Sequence, residues 1–133
     1  MAQEFHAFIK KSKLPSASDV ARIMSSRGWR VEIPGTAALD AVGNRLEIQV
    51  DGKPLQLGVK IAHASDPDFA APVQAADPGV VQGVLKAADF RIAFVGDGQD
   101  AETWARDAAR ALALLATGAF ANPQRNTLLH YGG

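Results

Sequence analysis

Arg45-Leu46-Glu47-Ile48-Gln49-Val50-Asp51-Gly52-Lys53-Pro54-Leu55-Gln56-Leu57-Gly58-Val59-Lys60-Ile61-Ala62 is the stretch that decides the fold. Leu46, Ile48 and Val50 alternate with polar neighbours, and Leu55, Leu57, Val59 and Ile61 do the same on the return. A period of two places each apolar set on one face of a strand. Asp51-Gly52 between them tolerates the positive φ of a tight hairpin turn. Pro54 is permissible near an edge or a strand entry.

Upstream of the hairpin, Glu4 to Lys11 sets Phe5, Ala7 and Ile9 against His6, Phe8 and Lys10, a strand with apolar groups on both faces. Pro15 stops it. Ser16 followed by Asp19 reads as a helix cap, and Ala17, Val20, Ile23, Met24 and Arg27 continue at helical spacing up to Gly28. Trp29 to Ile33 reads as a second strand closed by Pro34-Gly35.

Downstream, Ser65 to Ala76 has the Asp and Pro content of a loop. Asp77-Pro78 is a cap with proline at the first helical position, opening a short helix with Val80, Val81, Val84 and Leu85 on its apolar face. Phe90 to Val95 is a mostly apolar run with the length of a central strand. After Gly96-Asp97-Gly98 turns the chain, Asp100 is expected to cap the longest helix, reaching Thr117, with Trp104, Ala108, Ala111, Leu112 and Leu115 on one face. Gly118 ends it, Ala119 to Ala121 adds a short strand, and residues 125–133 form a loose tail. This order predicts an α+β fold over a single domain, residues 1–133: one mostly antiparallel sheet of about five or six strands with two main helices packed on one face.

Composition narrows the function classes. With 47% hydrophobic and 21% charged residues the chain is neither disordered nor membrane-like. No apolar run approaches the ~20 residues that span a bilayer, and Met1 to Lys13 lacks the uninterrupted apolar centre of a leader peptide. The absence of cysteine removes disulfides, thiolate metal sites and cysteine nucleophiles. The cytoplasm is the default expectation. Fourteen basic residues balance fourteen acidic ones, which disfavours a general nucleic-acid binder.

Catalytic groupings are missing from the pattern. His6, His63 and His130 stand far apart in the sequence and form no metal-binding helical pair. Asp97-Gly98-Gln99-Asp100 starts like a calcium loop but lacks alternating ligands and the closing Glu. Gly96-Asp97-Gly98 sits where a dinucleotide fingerprint would, with Ala101 in place of its third glycine, but no strand with an acid follows at the required distance. No serine lies in a nucleophile-elbow context. Asp66-Pro67-Asp68 reads as turn chemistry, and Trp29 and Trp104 read as core aromatics. The expectation is a non-enzyme without cofactor or metal.

One resemblance covers most of the chain. Leu14-Pro15-Ser16, a short helix and Gly28-Trp29-Arg30-Val31 open it; Arg91-Ile92-Ala93-Phe94 leads into an alanine-rich helix that closes with Leu114-Leu115-Ala116-Thr117-Gly118-Ala119-Phe120, and Asn122-Pro123-Gln124 follows. In this order the chain resembles bacterial immunity proteins of contact-dependent inhibition and polymorphic-toxin systems. The resemblance implies a cytoplasmic α+β protein that binds the C-terminal domain of a secreted toxin and blocks it. The alternative is a small adaptor or secretion-chaperone-like module that docks on another protein. Neither reading involves direct contact with nucleic acid or membrane.

Charge distribution supplies candidate contact residues. Met1 to Arg30 holds six basic residues against two acidic ones, whereas Ala64 to Asp107 holds eight acidic against three basic. Many delivered toxins are nucleases with basic surfaces, and acid on an inhibitor raises on-rate and specificity. Asp66, Asp68, Asp77, Asp97, Asp100 and Glu102 lie on loops and helix starts and are expected to meet at one end of the sheet. Asp77 and Asp100 also have capping roles, which leaves Asp66, Asp68 and Asp97 as the cleaner candidates.

Overall fold

In the computed structural model, which describes residues 2–34, 38–74, 76–125 and 127–131, Asp51 and Gly52 take φ of 51° and 83°. Positive φ at both central residues defines the expected two-residue hairpin turn. It joins β3 (Arg45–Val50) to β4 (Lys53–His63), with Leu46 opposite Leu57 and Ile48 opposite Leu55. Around this hairpin the chain lays down β1 (Gln3–Ile9), α1 (Ala17–Met24), β2 (Val31–Glu32), α2 (Pro78–Ala87), β5 (Phe90–Gly96), α3 (Gln99–Leu115), β6 (Ala119–Asn122) and β7 (Thr127–His130).

The seven strands form one sheet in the order β2-β3-β4-β5-β1-β6-β7, with every neighbouring pair antiparallel. The α+β class and the antiparallel sheet are as the sequence predicts, with a slightly higher strand count. The additional strand is β7. Residues 127–130 are not a loose tail: Leu129 pairs opposite Phe120, and the Tyr131 amide donates to the Gly118 carbonyl. Four residues with two leucines carry too little alternation to announce a strand. Gly35 of the expected turn, the side chains of Arg27 and His130, and Gly132-Gly133 lie outside the described residues, as does Ala75 in the 65–76 segment.

The pleat divides the sheet into two faces. Phe5, Ala7, Ile9, Ile48, Leu57, Phe90, Ile92, Phe94 and Phe120 point to the first face, against α1 and α3, the two expected helices. The helix α3 is small where it meets these rings: Ala101, Ala105, Ala108 and Ala109 are buried there with Leu112. Alanine lets a helix approach a sheet already carrying large side chains. The expected apolar stripe is therefore rotated. Ala108, Ala111 and Leu112 belong to it, Trp104 sits half-buried at its rim, and Leu115 is exposed.

A second cluster lies on the opposite face. Phe8, Ala62, Ala119 and Ala121 pack there against Val84 of α2 and against Phe69 and Val73, so the 65–76 segment is a covering layer rather than a plain loop. A single turn of 3-10 helix, Ala71–Val73, carries Val73 inward.

Helix ends follow local chemistry. Ser16 accepts from the Asp19 amide at 3.2 Å, and Asp77 accepts from Gly79 and Val80 at 2.9 and 3.4 Å, as the sequence predicts. The long helix differs: Gly98 (φ 97°) is its cap residue, and Asp100 lies inside the first turn. A carboxylate there complements the positive end of the helix dipole without capping it. At the other end Thr117 (φ 51°) holds the left-handed position. Its amide bonds to Leu114 O, and the Gly118 amide to Ala113 O. This pair of bonds closes the helix C-terminus.

Candidate functional site

The Trp29–Trp104 cleft is built by three elements that each end nearby. After α1 a 3-10 turn stops at Gly28 (φ 92°), which swings the chain outward and delivers Trp29. The next residue clasps the hairpin turn: Arg30 N donates to Asp51 Oδ1 at 3.0 Å, and Asp51 N donates to Arg30 O at 2.8 Å. The third element, the first half of α3, presents Asp100, Thr103, Trp104 and Asp107. Together with Val50, Lys53, Pro54 and Leu55 of the hairpin tip they enclose a cleft of about 500 Å³.

Both indoles belong to it. Trp29 is 51% exposed, and its ring meets the half-buried Trp104 edge-on, at 6.0 Å between centroids and 81° between planes. Both are expected from sequence to be core; the structure places Trp29 at the surface. The missed signal is local: Trp29 follows a helix-terminating glycine and precedes a strand of only two residues, so no pleat carries it inward. Asp51 and Asp100 are exposed at the cleft, whereas Asp107 is nearly buried and lies 3.9 Å from Arg106 Nε.

A separate polar group crosses the second face of the sheet. Glu4 Oε2 accepts from Lys60 Nζ at 2.8 Å, and His6 Nε2 lies 3.2 Å from Glu4 Oε1. Arg91 Nη1 donates to the carbonyls of Asp68 and Phe69 at 2.7 and 2.9 Å, and its Nη2 lies 3.7 Å from Asp68 Oδ2. Arg91 thus fastens the 65–76 covering layer to the sheet. His6 is 2% exposed. Burial first, and the Arg91 charge second, push its pKa down to about 4 against the pull of Glu4. Burial pushes Glu4 upward, but the bond and charge of Lys60 and the neighbouring His6 outweigh it and hold the carboxyl below its usual range. Among the described residues, His6 Nδ1 and Arg91 Nε are buried without a hydrogen-bond partner. The His6 imidazole is thus a buried group on the sheet face, neutral at pH 7, with Glu4 as its near polar neighbour.

The acids read from sequence do not meet at one end of the sheet. His63 is opposite Phe90 and Gly58 opposite Val95. Asp66 and Asp68 therefore follow the β4 end beside the start of β5, while Asp97, Asp100 and Glu102 follow its far end, roughly 20 Å away for a seven-residue strand. An antiparallel pair separates its two outgoing loops in this way, and the sequence order alone did not settle the pairing. Asp66 Oδ2 accepts from the His63 amide at 2.8 Å, and Asp68 faces Arg91. Asp77 is occupied as the cap of α2. Glu102 lines a smaller depression with Arg106 and Arg125. Of the six, Asp100 alone lines the tryptophan cleft. Asp51, which shares it, has in the sequence the signature of a turn residue alone.

Among the described residues no three His, Asp or Glu side chains gather in an arrangement able to hold a metal ion, and no helix is long and apolar enough to cross a membrane. Compared with known proteins, the chain matches no family model, no curated protein and no solved structure.

Proposed function

We propose that this chain is a non-catalytic immunity domain that neutralises the C-terminal domain of a cognate secreted toxin in the cytoplasm, with the Trp29–Trp104 cleft as the centre of its contact surface. The observation that carries the reading is the exposed indole of Trp29, braced edge-on by a second tryptophan at a 500 Å³ cleft. Holding half of a large aromatic in water gains nothing for folding, because burial of apolar area is what stabilises. A partner that covers it recovers that term, and tryptophan is enriched among the residues that dominate binding energy. The cleft rests on a helix and a hairpin turn tied to the sheet, so little ordering remains to oppose association.

The test is protection. The C-terminal domains of secreted toxins from the source genome are expressed one at a time in a sensitive cell together with the chain or with its Trp29→Ser variant. The expected result is growth with the native chain and loss of growth with the variant, the variant's circular dichroism being unchanged. Equal growth with both, or no protection by the native chain, overturns the reading.

A further inference from the structure

We infer that the Trp29–Trp104 cleft is a receptor for a guanidinium group, and that its natural occupant is an arginine projecting from a basic surface of the partner protein. The inference rests on the proposed function for there being a protein partner; the chemistry of the cleft is argued and tested separately.

Two kinds of group converge there. The indoles supply π faces whose quadrupole attracts a cation, and tryptophan is the strongest aromatic in this role. Asp51 and Asp100 line the same cleft from two elements, one on the hairpin turn and one on the first turn of α3, and Asp107 lines it from the next turns of that helix. Among the described lining residues Lys53 is the one ammonium, against the two exposed carboxylates of Asp51 and Asp100. An apolar anchor would strip water from carboxylates and give them nothing in return. An anion would meet repulsion from the same groups. A guanidinium satisfies both features at once: its plane stacks on an indole while its edge donates to carboxylate oxygens. An ammonium carries the same charge but lacks the flat face and the paired donors, so lysine is the weaker occupant.

The carboxylates have local ties that a bound guanidinium leaves intact. Asp51 Oδ1 accepts the Arg30 amide. That bond engages one oxygen of a carboxylate that is exposed and lines the cleft. Asp100 is exposed within the first helical turn. The partner is then a basic surface, which agrees in sign with a toxin that handles a polyphosphate substrate.

The experiment follows the two indole N–H signals by NMR while blocked tripeptides Gly-Arg-Gly, Gly-Lys-Gly and Gly-citrulline-Gly are added to the full chain. Citrulline keeps the shape of arginine and removes the charge. The expected result is saturable movement of both signals with the arginine peptide, with half-saturation on the order of millimolar, as suits a single side chain. Binding by the lysine peptide is expected to be weaker, and binding by citrulline at least about tenfold weaker. The Asp51→Asn, Asp100→Asn double variant keeps the turn and the helix start, and is expected to weaken the arginine peptide several-fold. Equal binding of citrulline and arginine, no arginine response, or an unchanged double variant overturns the inference. If arginine fails while Trp29→Ser still abolishes protection, the cleft is the toxin contact with another anchor. If arginine binds but protection is indifferent to Trp29, the guanidinium site stands and the toxin reading falls.

Discussion

Thr117 and Gly118 are adjacent, and glycine at either position is predicted to act for a different reason, so changing each should shift stability in opposite directions. Thr117 sits at φ 51°, is exposed, and carries a β-branched side chain in a region where a Cβ crowds the backbone. That strain is worth about 1–2 kcal/mol. Glycine relieves it but adds about 0.5–1 kcal/mol of backbone entropy to the unfolded chain. Thr117→Gly is therefore expected to stabilise by about 0.5–1 kcal/mol. At Gly118 the backbone is unstrained and the constraint is space. A Cβ there would stand 2.2 Å from Phe8 O and 2.8 Å from Ile9 Cγ2, so β6 must retreat from its neighbour β1 by roughly 1 Å. Overpacking of this kind costs about 1–3 kcal/mol, and the rigid backbone on both sides argues for the upper half of that range. Unfolding in urea followed by far-ultraviolet circular dichroism measures both, with m unchanged. A neutral Gly118→Ala, or a Thr117→Gly that destabilises by more than about 1 kcal/mol, would refute this account of the helix end.

Three further outcomes are expected. His6 is charged below about 6.5 in the unfolded chain but only below about 4 in the folded one, so the unfolded state binds the extra proton between these values. Its contribution is intact above pH 6.5 and is lost as pH falls towards 4, by about 2–3 kcal/mol; His6→Gln should flatten that part of the stability curve measured by urea midpoints, and an unchanged curve refutes the buried neutral imidazole. Trp104 is half-buried, so Trp104→Ala should cost about 1–2 kcal/mol rather than the 3–5 of a fully enclosed aromatic, as read from the same urea titration. Arg91→Ala removes the donors to the Asp68 and Phe69 carbonyls and should cost about 3 kcal/mol. Hydrogen exchange should show the loss concentrated between residues 64 and 74, and a uniform change across the sheet would contradict the fastening role.

The elements whose chemistry is local were legible in the sequence. Asp51-Gly52 specifies its turn from two residues, Ser16 and Asp77 specify caps from their own oxygens, and the hairpin register follows from alternation. Features that depend on tertiary partners were not. The 65–76 segment has no period; Arg91, more than twenty residues away, and the apolar patch around Phe8 and Ala62 that receives Phe69 and Val73 explain why it lies on the sheet. The alanine face of α3 is chosen by the phenylalanines it meets, which shifted Trp104 to the rim. The candidate site was the least legible part. Its parts come from three separated stretches, and exposure of Trp29 depends on how briefly β2 pairs with β3. Acid content pointed to Asp100, but the strand pairing holds Asp66 and Asp68 at the other end of the sheet from Asp97, Asp100 and Glu102.

If a protein partner is held through the tryptophan cleft, removing Trp29 must cost it affinity. Calorimetric titration of the toxin domain against which the native chain protects, into the native chain, Trp29→Ser and Val80→Ser, measures this contact. Val80 is an equally exposed apolar residue on α2, which packs on the opposite face of the sheet. The account predicts that Trp29→Ser weakens Kd by about 30-fold or more, the loss of one dominant contact of about 2 kcal/mol, while Val80→Ser stays within about twofold. A Trp29→Ser variant that binds as tightly as the native chain, or a Val80→Ser variant that takes the larger loss, would contradict it.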